Sequence, residues 1–282
     1  MNNHTPPGTT MSETIVIKIG GGAGIDLAPI AAEFAQLVRD GARAILVHGG
    51  SHETNVLSEQ LGHPARTIES PSGHTSRRTD RRTLEIFEMA YCGKVNKGLV
   101  EQLRRHGVDA IGLSGIDGGL WQAERKRAIR AVEEGRTVII RDDLSGRVTG
   151  VDSELLQLLL DNGRTPVLTP PAVTPEGVAV NVDADRAAAA TAVALGASEL
   201  LLLSNVPGVL ADPNDPSSLI PVVDDPEIGR RAARGRMKNK VLAAEEAIDG
   251  GVSRVVIGLA GGARAIWQAR SGAGTTFQGA LV

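Results

Sequence analysis

Ile15-Val-Ile-Lys-Ile-Gly-Gly-Gly22 carries one cation through a short apolar run and out into three consecutive glycines. A lysine set between Val and Ile neighbours is not ordinary surface charge, and glycines behind it let backbone amides approach an anion that any Cβ would obstruct. The stretch reads as a buried strand that ends in a phosphate-handling turn. It is not a P-loop: no segment reads GxxxxGK followed by Ser or Thr, and Lys18 precedes its glycines.

Outward from this strand, short apolar runs alternate with longer amphipathic stretches. Residues 15–19, 44–47, 110–113, 137–140, 166–169, 200–203 and 254–257 read as strands. Residues 27–40, 83–106 with interruptions, 153–162, 184–196 and 237–250 read as helices. Strand, helix, strand in repetition predicts an α/β fold with a mostly parallel sheet covered on both faces. Gly41, Gly107, Gly163, Gly196 and Gly251 stand just before the next strand, where a left-handed cap would end each helix. With 282 residues the chain fits one large domain or two lobes sharing a sheet, and the prolines and hairpin signal between Pro170 and Glu176 mark a boundary.

Composition narrows the function classes. Aromatic residues make up 2% of the chain and its net charge is -3, which argues against the basic groove and aromatic platform of a nucleic-acid site. Cys92 is the single cysteine, so no internal disulfide forms and a cytoplasmic protein is expected. Residues 1–11 are expected to be a disordered tail, polar and without the basic start and apolar run of a signal peptide, and Met11 is an alternative start. No run approaches the roughly 20 apolar residues of a membrane span. The histidines lack zinc-site spacing and the single cysteine cannot complete such a site, so no histidine- or cysteine-bound metal is expected; nor does any serine lie in a GxSxG elbow.

In a parallel sheet, functional groups gather at the carboxyl ends of the strands. That rule selects Lys18 with Gly20 to Gly22, His48-Gly49-Gly50-Ser51, Ser114 to Gly119, Ser204 to Gly208 and Gly258 to Gly262. Glycines also turn corners for purely structural reasons, but two clusters flanking one cleft suit a phosphoryl oxygen that collects charge. Asn181-Val-Asp183-Ala-Asp185 opens an Ala-rich helix. An Asp there is a common N-cap, yet three polar groups in five residues point to a site that holds lysines or Mg²⁺. Gly235-Arg-Met-Lys238-Asn-Lys240 opens another helix, either as a solvated face or as an anion grip aided by the helix dipole.

Between Ser70 and Arg82 lie Arg77, Arg78, Arg81 and Arg82, suited to bidentate carboxylate recognition, with Asn96 as a neutral donor. A plain basic loop is the alternative, chiefly for Arg81 and Arg82. Residues 77–147 hold 15 Lys and Arg against 11 Asp and Glu, a net of +4, while the remainder carries 15 against 22, or -7. The basic middle of an acidic chain is a solvated face or a docking surface for an acidic macromolecule.

Taken in order, IKIGGG, VHGG, the arginine loop, GLSGIDG, NVDAD, LLLSNVPGVL and GRMKNK resemble the amino acid kinase family across nearly all of residues 14–282. Each motif alone is weak; their order is specific. The resemblance implies a three-layer αβα sandwich around a central, mostly parallel sheet. Residues 12–172 would form the lobe for the amino-acid substrate and for dimerisation, and residues 173–282 the ATP lobe, with Mg²⁺ bridging the ATP phosphates. It further implies that Lys18 and Lys240 neutralise phosphates, that Asp185 organises them, and that Gly20, Gly21, Gly49 and Gly50 form an amide-lined cradle. Arg77 would take a substrate carboxylate, with Asn181 across the acyl group and Ser51 beside it. Ser204, Asn205, Gly208, Asp212, Met237 and Lys238 fall where the family binds nucleotide.

Two branches of that family differ in substrate. The branch acting on free N-acetylglutamate usually has a third glycine after VHGG, whereas this chain reads Ser51-His-Glu-Thr-Asn55 and has a longer Ser70-Pro-Ser-Gly-His74 lead into Arg77. Both features resemble the branch that acts on 2-aminoadipate, or glutamate, attached to a small acidic carrier protein, and the basic middle region fits such a partner. The expected activity is ATP-dependent conversion of a side-chain carboxylate to an acyl phosphate, in lysine or arginine biosynthesis, by a homodimer with no nucleic-acid or membrane partner. The alternatives are a kinase of free N-acetylglutamate and a non-catalytic sensor with the same fold. Lys18, Asp185 and Lys240 together speak against the sensor.

Overall fold

The computed structural model describes residues 13–71, 75–133 and 136–279, so the expected tail and the Ser72-Gly-His74 part of the arginine-loop lead lie outside the described residues. From β1 (Thr14–Ile19) the chain passes through α1 (Leu27–Arg39), β2 (Arg43–His48) and α2 (Ser51–Gln60) to a hairpin of β3 (Thr67–Glu69) and β4 (Thr75–Arg77). A long helical path follows as α3 (Arg81–Glu88), a π-helical segment (Met89–Val95) and α4 (Asn96–Arg105). Next come β5 (Ala110–Gly115), β6 (Trp121–Arg125), a hairpin of β7 (Ile129–Glu133) and β8 (Arg136–Ile140), β9 (Gly146–Val151), α5 (Ser153–Asp161) and β10 (Thr165–Val173). The remainder holds β11 (Ala179–Val180), α6 (Ala184–Ala194), β12 (Glu199–Ser204), β13 (Val222–Val223), α7 (Pro226–Ala232), α8 (Met237–Asp249), β14 (Arg254–Leu259), α9 (Ala265–Arg270) and β15 (Thr275–Gln278).

Among the described residues an 11-stranded sheet runs in the order β13-β15-β14-β12-β1-β2-β10-β6-β9, with β5 and β11 also paired to β10. β1 is parallel to both neighbours, and Lys18 lies opposite Leu202 on one side and Val47 on the other. Parallel pairing continues from β2 to β10, from β10 to β5 and from β12 to β14. Antiparallel pairs in this sheet are β14 with β15, β6 with β9, and the β10–β11 hairpin. The β3–β4 and β7–β8 hairpins pair separately and pack on each other through Ile68, Ala131 and Ile140.

Side-chain alternation along β1 separates two cores. Ile15, Ile17 and Ile19 join Phe34 of α1, Leu99 of α4 and Ile266 of α9. Val16 joins Ala188 of α6 and Val241 of α8. Lys18 shares the parity of Val16 and so points to the α6–α8 side. A one-residue slip would drive its ammonium into the isoleucine core, and burial of each such side chain is worth about 1.5–3 kcal/mol. The apolar pattern therefore dictates where the lysine points.

The helix ends follow the expected chemistry. Gly41, Gly107, Gly163, Gly196 and Gly251 all have positive φ. Asp26, Asp80, Asp152, Asp183 and Asp225 cap α1, α3, α5, α6 and α7 through side-chain bonds to first-turn amides. Two readings need correction. Residues 137–140 lie in β8 of a separate hairpin rather than in the main sheet, because β7 pairs with it locally. The interruption within residues 83–106 is a π-helical widening that places Tyr91 in a small core with Leu84 and Phe87.

Candidate active site

A cleft of about 960 Å³ opens at the carboxyl ends of β1, β2 and β12 and is bounded by the starts of α6 and α8 and by β4. Lys18, Asp185 and Lys240 meet there, with relative exposures of 5%, 7% and 8%. Lys18 Nζ lies 2.5 Å from Asp185 Oδ1, and Lys240 Nζ donates to Oδ1 at 3.0 Å and Oδ2 at 2.9 Å. Burial pushes the Asp185 carboxyl up, but the two ammoniums outweigh it and hold the group well below the usual carboxylate range. Burial, reinforced by the Lys240 ammonium, lowers Lys18 from its ordinary value in spite of Asp185. Two positive charges and one negative thus face the cleft, an arrangement that is completed by an anion.

Each member is held by its element. Asp185 sits in the first turn of α6, where Asp183 accepts from its amide and from that of Arg186. The second carboxylate oxygen of Asp183 accepts from Asn239 Nδ2 at 2.7 Å, which ties the start of α6 to the start of α8. Asp183 is therefore a helix cap, as its position in the sequence allowed, while Asp185 organises the lysines. Lys240 projects from the first turns of α8, one residue past that tie.

The glycine turns pack backbone on backbone. A Cβ on Gly21 would lie 2.1 Å from Gly50 N and 2.4 Å from Gly49 C, and one on Gly50 would lie 2.8 Å from the Tyr91 ring. These contacts force glycine there whatever binds. The amides of Gly20 and Gly49 donate to Leu203 O and Ile19 O. The expected cradle therefore changes: Gly20 and Gly49 line the cleft without contributing free donors, because their amides continue the sheet ladders. Ser51 lines the cleft too, but its hydroxyl donates to Gly21 O at 2.9 Å and so joins the two turns.

On the β4 side, Arg77 Nη2 donates to Asn55 Oδ1 at 2.5 Å and to Ser51 O at 3.4 Å, whereas its buried Nη1 has no hydrogen-bond partner among the described residues. An orphaned guanidinium nitrogen in a cleft calls for an acceptor. Arg78 turns the other way, its Nη2 donating to both carboxylate oxygens of Asp142. Arg81 and Arg82 pair with glutamates on α3 at the surface. Asn181 lines the cleft and donates to Thr79 Oγ1 at 3.1 Å. Asn96 does not join this cluster: it is buried and donates to Val167 O and to the His48 ring.

Ser204, Asn205, Gly208, Met237 and Lys238 all line the cleft. Ser204 Oγ is buried there with no hydrogen-bond partner among the described residues. Gly208 packs against Thr275, so its small size also serves the fold. Asp212 lies outside the lining in an exposed turn, where its carboxylate accepts from Asn214 N. Ser114 to Gly119 also lie outside it, because Ser114 turns inward onto Asp117. Sequence reading passed over Tyr91, Arg66, Lys126, Arg234 and Arg236, which line the cleft. Arg236 lies within the Gly235–Lys240 stretch that opens α8; Tyr91 carries no sequence signal, since its place depends on the π-helical turn. Among the described residues nine Lys and Arg face two Asp in the lining, which suits polyphosphate and carboxylate ligands. Both aspartates are engaged, one as a cap and one by two lysines, so a cation brought in on phosphates fits these residues better than one held by carboxylates.

The chain matches the model of the amino acid kinase family over residues 13–258. A "[LysW]-aminoadipate kinase" from Deinococcus radiodurans is 54% identical over 263 residues, covering 93% of this chain and 90% of the relative. An "Acetylglutamate kinase" from Pelotomaculum thermopropionicum is 38% identical over 247 residues, covering 85% of this chain and 82% of the relative. Among solved structures, carbamate kinase from Giardia superposes with a TM-score of 0.66 at 16% identity over 96% of this chain and 100% of the other, a likeness of fold.

Proposed function

Since this chain belongs to the amino acid kinase family, we propose that it transfers the γ-phosphoryl group of ATP to the side-chain carboxylate of 2-aminoadipate borne on a small carrier protein. The product is an acyl phosphate on the route to lysine. The observation that carries this reading is the convergence of Lys18 and Lys240 on Asp185 at the cleft floor. When bound, ATP with Mg²⁺ on its phosphate oxygens supplies the phosphoryl group. Lys18 and Lys240 neutralise the charge that spreads over its equatorial oxygens, and Asp185 keeps both ammoniums in place between turnovers. No general base is required, because the attacking group is already a carboxylate; positioning does the rest.

Arg77, with Nη1 free to donate, takes a carboxylate of the substrate, and Asn181 stands across the acyl group. Ser204 Oγ, Asn205, Met237 and Lys238 take the nucleotide from the other side of the cleft. This division gives residues 12–172 the amino-acid substrate and the contact of a homodimer, and residues 173–282 the nucleotide, in a cytoplasmic enzyme. Glutamate on the same carrier is the nearest alternative acceptor. Free N-acetylglutamate is a second reading, favoured by the acetylglutamate kinase likeness.

Replacing Lys18 or Lys240 by Ala tests the reading. Loss of one transition-state cation is expected to lower kcat by about a thousandfold, with far-ultraviolet circular dichroism unchanged. Near-normal turnover in a folded Lys18→Ala protein would remove it.

A further inference from the structure

His48 ends β2 directly before the Gly49-Gly50 turn and is 1% exposed. Its Nδ1 lies 3.0 Å from Gly49 O, and its Nε2 lies 3.0 Å from Asn96 Nδ2. Asn96 Nδ2 also donates to Val167 O, while Asn96 Oδ1 accepts from Lys97 Nζ at 3.2 Å. The asparagine is thereby oriented with its NH₂ toward the ring, so Nε2 accepts and Nδ1 carries the proton. Gly112 of β5 makes room for this arrangement: a Cβ there would lie 1.9 Å from Asn96 Oδ1.

The bond from Nδ1 reaches the carbonyl of the Gly49–Gly50 peptide. That unit is planar, so fixing the carbonyl at one edge fixes the N–H of Gly50 at the other, directed away from the ring. Gly50 N is the atom that a Cβ on Gly21 would meet, and Gly50 is the N-cap position of α2. We propose that His48, oriented by Asn96, is a positioning residue for phosphoryl transfer, setting the plane of the Gly49–Gly50 peptide and hence the packing of the two glycine turns around the cleft. The inference rests on the functional reading above and adds to it residues that touch neither ligand. Burial holds the ring neutral, with a pKa lowered to about 4, helped by the Lys18 and Lys97 ammoniums and opposed by the Gly49 bond. From β10, the neighbouring side chain is the uncharged Thr169, which donates to His48 O.

Two substitutions separate positioning from packing. In His48→Asn the side-chain amide takes the place of Nδ1 and keeps a donor to Gly49 O; in His48→Gln it takes the place of Nε2 and keeps only the group facing Asn96. The expected result is a kcat about 10- to 100-fold lower in His48→Gln, KM values little changed, and His48→Asn within about threefold of wild type. Imidazole ¹⁵N shifts of the wild-type protein should show the proton on Nδ1. Equal kcat in the two variants, a loss confined to KM, or a proton on Nε2 overturns the inference. Wild-type acyl phosphate formation is measured in parallel. If the wild-type chain forms none, the functional reading falls and this inference with it; if it forms product and the variants are alike, only the inference falls.

Discussion

Asp185 holds two ammoniums, so its removal and theirs have different consequences. Asp185→Asn leaves Lys18 and Lys240 buried beside each other without a counter-charge and is expected to cost about 3–5 kcal/mol in a denaturant titration. Lys18→Ala leaves the Asp185–Lys240 pair in place and is expected to cost less; the opposite ranking would contradict the description of Asp185 as the shared anchor. His48 makes a second test at single-residue level. Its native pKa of about 4 lies below the ordinary histidine value of 6.5, so the unfolded chain binds the extra proton first. Stability from this group is therefore fully present above pH 6.5 and is lost as pH falls towards 4, by up to roughly 3 kcal/mol. Melting temperatures between pH 7 and 4 should fall more steeply in wild type than in His48→Asn.

The turn after β1 was legible as a glycine requirement, but not the reason for it. Gly21 faces the other turn's backbone, whereas a Cβ on Gly22 would meet only Asn205 Nδ2, at 3.8 Å. Gly21→Ala is expected to lower the melting temperature by several degrees, since backbone overpacking costs about 1–3 kcal/mol, and Gly22→Ala to leave it unchanged. Equal effects would mean that the turns do not meet as described. What the sequence displayed were strands buried on both faces and helices with Asp caps and glycine ends, because those patterns are local. The edge pair β6–β9 was hidden: Glu124 and Arg147 pair across it at 2.7 Å, and charged alternating strands read as surface. Asn96 was misread as a substrate donor because only the pairing of β2 with β10 shows that its amide faces His48 and Val167.

Across the whole molecule, the sheet brings together at one cleft groups that stand more than 200 residues apart in sequence, Lys18 and Lys240. The two-lysine clamp was legible from the order of motifs, and which way Lys18 points follows from the parity of β1. On the proposed acceptor's wall, Arg77 at the end of β4 is anchored by Asn55 of α2, and Arg66 and Lys126 add two more cations to the cleft lining. Residues 77–147, net positive in an otherwise acidic chain, suit an acidic carrier better than a free amino acid. A carrier recognised in this way is released by salt, so activity on it should fall between 50 and 500 mM NaCl more than ATP affinity does. The central claim is tested most directly by trapping acyl phosphate with hydroxylamine in the presence of ATP and Mg²⁺, with three acceptors compared: carrier-linked aminoadipate, free N-acetylglutamate and none. Hydroxamate is expected with the carrier-linked acceptor and at background level with the other two. Hydroxamate from N-acetylglutamate alone, or from none of the three, would contradict the account.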